Sequence, residues 1–189
     1  MKLKEMLYAG NPNRMIKRHI ILGENSEEKT LKRIEAFFSI ASLGFLLILL
    51  GAIFASTPSL YDEIIAFFKD FEIVEIQNTQ IYLPAPAHPQ KHLTVYSAAE
   101  TFCLIWSIYE IAILITRFFA HSPTNKKAET LSNIIFWLGT SYLIKTSLNT
   151  TTTTTKWFTF WTLIITLLGI SLIVRGLILA AATWQKRKT

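Results

Sequence analysis

The chain has 189 residues, 51% of them hydrophobic, and a formal net charge of +6. The basic residues flank apolar blocks rather than interleaving with aromatic residues along a groove, so we expect no nucleic-acid partner. The apolar blocks approach the roughly 20 residues that cross a bilayer. The composition therefore predicts an all-α integral membrane protein, a four-helix transmembrane bundle with a small extracytoplasmic cap.

The first 33 residues are predicted to form a basic, amphipathic segment on the cytoplasmic surface, with anionic lipid as its partner. Asn25 followed by Glu28 indicates a helix that begins near Ser26 and continues into the first span, 34–56. More than thirty residues precede this span. We therefore expect it to remain as an anchor rather than to be cleaved as a signal peptide.

Residues 57–94 are predicted to form the cap outside the cytoplasm. "PSLYDEIIAFFKDF" has Ser59 at a cap position, Asp62 three residues later and an apolar face of Ile and Phe. This pattern predicts an amphipathic helix over 60–71. "EIVEIQNTQIYLP" then alternates polar and apolar residues, which is typical of a short hairpin.

Three more spans are predicted after the cap. They are 95–119, 131–148 and 157–183, separated by a cytoplasmic loop at 120–130 and an outer threonine-rich loop at 149–156, and followed by a basic cytoplasmic tail at 184–189. The first and fourth spans each contain two glycines one heptad apart, Gly44 with Gly51 and Gly169 with Gly176. Small residues let helix backbones approach closely in lipid, so we expect these pairs to pack within the bundle.

The distribution of charge predicts the orientation. Basic residues concentrate before the first span, in the second connection and in the tail, whereas acidic residues concentrate in the first connection. By the positive-inside rule both termini are cytoplasmic, and we expect the plasma membrane as the location. The triplet Asn149-Thr150-Thr151 is a glycosylation acceptor, which suits an outer loop.

Four ionisable residues form a predicted charge network inside the membrane. Glu100 and Glu110 lie on one side of the second span, where they need partners because an isolated carboxylate at membrane depth is costly. At about 1.5 Å of rise per residue, Glu110 is level with Arg175, and Glu100 is level with Lys145. We therefore expect these two ion pairs.

Catalysis and cofactor binding are not expected. The four histidines, His19, His88, His92 and His121, all lie outside the predicted spans. His88 and His92 are separated by Pro89, which favours a chance loop pair over a metal site. Cys103, the only cysteine, lies in an apolar span that makes its thiol inert.

The sequence favours a non-catalytic structural or accessory subunit of a membrane complex. Its expected partners are the bilayer and either other membrane subunits or a second copy. The alternative is a small ion- or proton-conducting channel or transporter that uses Glu100, Glu110 and Arg175. The predicted spans contain no proline and no broken helix of the kind that ion sites often use, which favours the structural role.

Overall fold

The computed structural model describes residues 12–76, 80–120 and 122–186, which are mostly helical. The elements in these ranges are α1 (Pro12–Ser56), α2 (Leu60–Lys69), β1 (Phe71–Glu75), β2 (Tyr82–Pro86), a 3-10 turn (Pro89–Lys91), α3 (Leu93–Phe119), α4 (Thr124–Ser147) and α5 (Thr154–Lys186). The beginning of the predicted N-terminal segment (1–11), His121 and the end of the predicted tail (187–189) lie outside the described residues.

The chain divides into two compact units, Met1–Ser42 and Leu43–Thr189, and the boundary falls inside α1. In the first unit the described backbone is helical from Pro12 onward. The predicted helix start near Ser26 is therefore wrong, because Asn25 and Ser26 both lie within the helix. Proline is well tolerated in a first helical turn, and a helix once started extends at little cost.

Three segments in the described ranges are long and apolar enough to cross a membrane: Lys32–Ser56, Leu93–Phe119 and Thr154–Gln185. They correspond to the first, second and fourth predicted spans. The third predicted span, 131–148, corresponds to the later part of α4, which ends at Ser147. The sequence of α4 is less apolar because polar residues such as Ser132, Asn133 and Ser141 interrupt it.

The position of α4 explains its polarity. Within the second unit α4 packs against both α3 and α5. Its buried residues include Thr130, Ser132 and Ser141, which face these neighbouring helices rather than the surface. Because α4 is held between two helices, buried hydroxyls such as Ser132 and Ser141 can donate hydrogen bonds to carbonyl oxygens of those neighbours.

The predicted hairpin is present, because β1 and β2 pair antiparallel with Phe71 opposite Pro86 and Glu75 opposite Tyr82. The predicted amphipathic helix is also present as α2, two residues shorter than expected. Ser59 is at the predicted N-cap position, but its backbone is left-handed with φ 61° and its side chain makes no capping hydrogen bond.

Two apolar clusters hold the second unit together. The larger one joins Ala85 of β2 to Tyr96 of α3 and to Trp157 of α5, with Phe67 of α2 packed against it. The smaller one consists of Leu49 and Ile53 of α1 and Leu60 of α2. The segment between α1 and α3 is thus packed on the beginnings of α3 and α5.

The glycines differ from the expected packing. A Cβ atom added at Gly44, Gly51, Gly169 or Gly176 would meet no described atom within 4 Å. The interpretation of these positions as contacts within the bundle is therefore wrong, since they face open space in this chain. At Gly139 of α4, in contrast, an added Cβ would lie 2.6 Å from Leu167 Cδ2, so this glycine permits the close approach of α5.

Candidate functional site

The structure brings Glu100 and Lys145 together, with 3.7 Å between Lys145 Nζ and Glu100 Oε1. Glu100 lies near the beginning of α3 and Lys145 near the end of α4, so the pair joins two antiparallel helices. Ser141 adds to this junction by donating a hydrogen bond of 3.3 Å from Oγ to the Glu100 carbonyl oxygen.

Glu110 and Arg175 are not brought together. The buried Glu110 carboxylate lies near the Asn133 side chain of α4 and near the positive charge of Arg117 on its own helix. Arg175 of α5 instead lies 3.8 Å from Glu129, measured from Nη2 to Oε2. The predicted partner was wrong because α4 begins at Thr124, which places Glu129 on a helix rather than in the predicted loop.

Arg117 is a central residue that the sequence prediction left without a partner. Its Nη1 donates to the Lys126 carbonyl oxygen and to Thr130 Oγ1, both at 2.7 Å. The Thr130 hydroxyl in turn donates to the same carbonyl oxygen at 2.9 Å. Arg117 therefore holds the end of α3 against the first turns of α4.

Further polar contacts connect α4 to its neighbours. Lys126 Nζ lies 3.1 Å from Glu129 Oε2, so Glu129 faces two cations, Lys126 and Arg175. Ser132 Oγ donates at 2.8 Å to the Ser171 carbonyl oxygen of α5.

A second cluster lies outside the three apolar segments and was not predicted. The Asp70 carboxylate lies between two imidazole rings, with Oδ1 2.9 Å from His88 Nδ1 and Oδ2 2.9 Å from His92 Nε2. The His88 backbone N–H also donates to Oδ2 at 2.8 Å. His88 and His92, predicted as a chance loop pair rather than a metal site, therefore share one carboxylate partner.

The electrostatics of Asp70 follow from these contacts. Partial burial by itself would raise the pKa of the carboxyl, but hydrogen bonds from both imidazoles and from the His88 amide outweigh it and lower the pKa to about 2. Asp70 precedes the histidines by 18 and 22 residues. No spacing rule links residues so far apart, and the β1–β2 hairpin is what closes the distance.

An aromatic cluster lies next to these histidines. The Phe67 ring meets His92, Tyr96 and Trp157 with ring centroids 5.2, 6.0 and 6.0 Å apart. Trp157 is buried in this cluster. These edge contacts fix α2 against the beginnings of α3 and α5.

The remaining predicted residues have local roles. The Asn149 Oδ1 atom accepts hydrogen bonds from the Thr151 amide at 2.9 Å and the Thr151 hydroxyl at 2.7 Å, which orders the turn that carries the glycosylation triplet. Cys103 is buried in the larger apolar cluster. Over the part of the chain that the structure describes, no group of three or more His, Cys, Asp or Glu side chains is arranged to hold a metal ion.

Comparison with protein-family models, with curated proteins and with solved structures finds no match to this chain. In this site the carboxylates of α3 and α4 face cations or hydrogen-bond donors of the same chain. The charged groups therefore offset one another.

Proposed function

We propose that this chain is an integral membrane protein that acts as a non-catalytic structural or accessory subunit of a membrane complex. In this proposal four helices cross the plasma membrane, with α4 as the third span and both termini in the cytoplasm. The 24 residues of α4 correspond to about 36 Å of helix, enough for a hydrocarbon core of about 30 Å. Basic residues of the N-terminal segment would contact anionic lipid.

The observation that carries the structural role is the pairing of ionisable groups within the helices. Glu110 is matched by Asn133 and Arg117, Glu129 by Arg175, and Glu100 by Lys145. Pairs of this kind hold helices in register and offset each other's charge. A group that relays protons or ions, by comparison, has to exchange partners during each cycle.

The subunit role is supported by the open faces of α1 and α5. Gly44 and Gly51 on α1, and Gly169 and Gly176 on α5, have room for a neighbouring helix backbone. In lipid, helices associate through close packing at such small residues. The partner would be the helix of another membrane subunit or of a second copy of this chain.

The subunit role is tested by gentle detergent extraction of the native protein, followed by identification of what co-purifies. We expect a membrane protein or a second copy in fixed stoichiometry. Gly169→Leu with Gly176→Leu should release this partner, because the side chains would fill the space that a partner backbone needs. Leu177→Phe, which enlarges an exposed residue of the same helix, is the matched control. A wild-type chain that remains a monomer without a partner contradicts the proposal.

The orientation is tested separately by cysteine labelling. A cysteine introduced at Lys69 should react with an impermeant reagent from outside, and one introduced at Lys126 only from inside. Both cysteines are introduced into a protein that carries Cys103→Ala, which removes the buried native thiol. Labelling of both positions from the same side contradicts the four-span topology.

A conducting role is the second candidate, and one observation favours it. Cys103, Ser107, Glu110 and Arg117 are all buried along one side of α3, so that side carries three buried polar residues. Proton flux in liposomes distinguishes the two roles. We expect no flux above that of empty liposomes, whereas wild-type flux that disappears in Glu110→Gln would establish the conducting role.

A further inference from the structure

A groove of about 610 Å³ lies beside the Glu100–Lys145 pair, between α3, α4 and α5. Its walls are mainly apolar and include Leu104, Leu138 and Leu167. Because Glu100 is near the beginning of α3 and Lys145 near the end of α4, the charged residues mark one end of the groove. Leu104 lies about one helical turn deeper than Glu100.

The two charged groups retain capacity for further contacts. Their separation of 3.7 Å is longer than a hydrogen bond between an ammonium and a carboxylate. The Lys145 side chain is 72% exposed and that of Glu100 is 26% exposed. An ammonium has three donors and a carboxylate about four acceptor positions, so a single loose pair uses only part of both.

A ligand complementary to this groove carries a cation, an anion and an apolar chain. We propose that the groove binds a phospholipid whose headgroup carries a primary amine. Its phosphate contacts the Lys145 ammonium, its ammonium donates to the Glu100 carboxylate, and one acyl chain lies along Leu104, Leu138 and Leu167. This inference rests on the proposal that α3, α4 and α5 cross the membrane.

The charge arrangement distinguishes this lipid from other phospholipids. A quaternary choline headgroup carries the same net charge but cannot donate a hydrogen bond to Glu100. A glycerol headgroup has a phosphate for Lys145 and no cation for Glu100. Contacts between ionised groups are stronger than neutral ones, so the primary amine should add clearly to binding.

Native mass spectrometry of the full chain in detergent tests the proposal. Phosphatidylethanolamine, phosphatidylcholine and phosphatidylglycerol are added one at a time, and the fraction of chain that retains one lipid is measured. We expect the ethanolamine lipid to bind about tenfold more tightly than the choline lipid. Glu100→Gln should abolish that preference, and Lys145→Gln should weaken the binding of all three lipids.

Two further variants keep the test independent of folding defects. Leu138→Trp fills the groove at a half-exposed wall position, so it should reduce the binding of every lipid without disturbing the core. Lys156→Gln is the matched control, because Lys156 is an exposed lysine held by Thr151 oxygen atoms and is not a wall of the groove. It should bind lipids as the wild type does.

Equal retention of the three lipids by the wild type would overturn the proposal. An ethanolamine preference that survives in Glu100→Gln, or a groove filled by a second copy in a lipid-independent dimer, would also overturn it. Flotation with phosphatidylcholine vesicles distinguishes the absence of a lipid site from the absence of membrane insertion. A chain that floats but shows no lipid preference contradicts only the lipid site, whereas a chain that does not float contradicts the membrane assignment.

Discussion

His92 Nε2 lies 2.9 Å from Asp70 Oδ2, and this contact joins the end of α2 to the residue that precedes α3. His88 contacts the other carboxylate oxygen at the same distance. One side chain therefore connects three consecutive parts of the chain: α2, the hairpin and α3. Such a junction should respond to the ionisation of Asp70.

The stability of the fold should decrease in acid through Asp70. Its pKa of about 2 in the folded state is below the ordinary value of 3.8, so the ionised carboxylate stabilises the fold above about pH 4. This contribution is lost as the pH falls from about 4 to about 2. Asp70→Asn should lower the free energy of unfolding by about 1 kcal/mol at pH 7 and by much less at pH 2.

Thermal unfolding in detergent between pH 7 and pH 2 provides the measurement. Asp62→Asn is the control, since Asp62 is an exposed acid of α2, the helix that Asp70 follows. The two variants should differ at pH 7 and converge in acid. An Asp70→Asn variant that differs from the wild type by the same amount at every pH would refute the role of ionisation.

Ser59→Gly should stabilise the protein. Ser59 has φ 61°, a left-handed conformation that costs an L-residue about 1 kcal/mol and that glycine adopts readily. No capping hydrogen bond is lost, because the Ser59 side chain makes none. Equilibrium unfolding should show a gain of up to about 1 kcal/mol. Ser59→Ala keeps the Cβ atom and should change little; a gain of the same size in Ser59→Ala would contradict this explanation.

Gly139→Ala should destabilise the contact between α4 and α5. The new Cβ would lie 2.6 Å from Leu167 Cδ2, the flexible end of that side chain, so the leucine has to rotate, and the cost of about 1 kcal/mol offsets the gain in helix propensity. Gly169→Ala is the matched control, since its Cβ would meet no described atom within 4 Å. Unfolding midpoints of the two variants provide the comparison. If Leu167→Ala fails to rescue Gly139→Ala, the predicted clash is not the cause.

Arg175 should couple energetically to Glu129 and not to Glu110. A double-mutant cycle with Arg175→Met and Glu129→Gln isolates the pair, and a second cycle with Arg175→Met and Glu110→Gln is the control. Both partners of the first pair are about one-third exposed, so we expect a coupling of up to about 1 kcal/mol. A larger coupling energy between Arg175 and Glu110 would contradict this expectation and support the pair predicted from helix depth.

Counting residues along the helices predicted the Glu100–Lys145 pair correctly and the Glu110–Arg175 pair wrongly. Glu100 and Lys145 were placed at the same level by counting residues, and they lie 3.7 Å apart. Counting also placed Glu110 level with Arg175, but it contained no information on which helix faces which. Because α4 lies between α3 and α5, its residues Asn133 and Glu129 take the positions that a direct pair would need.

The sequence by itself determined the features that depend on local composition. Apolar blocks of sufficient length specify the three segments able to cross a membrane, and alternation of polar and apolar residues specifies the hairpin. These signals are local because a helix or strand is recognised by the periodicity of its own residues. The number of charged residues in a connection is likewise a property of that segment alone.

Only the tertiary structure decided the features that depend on contacts between distant residues. The Asp70 carboxylate meets His88 and His92 because the hairpin reverses the chain between them. The heptad glycines face open space, while the isolated Gly139 carries the close helix contact. Whether a small or charged residue meets a partner depends on the rotation of each helix about its axis. That rotation is set by the packing of all neighbours together, so no single segment encodes it.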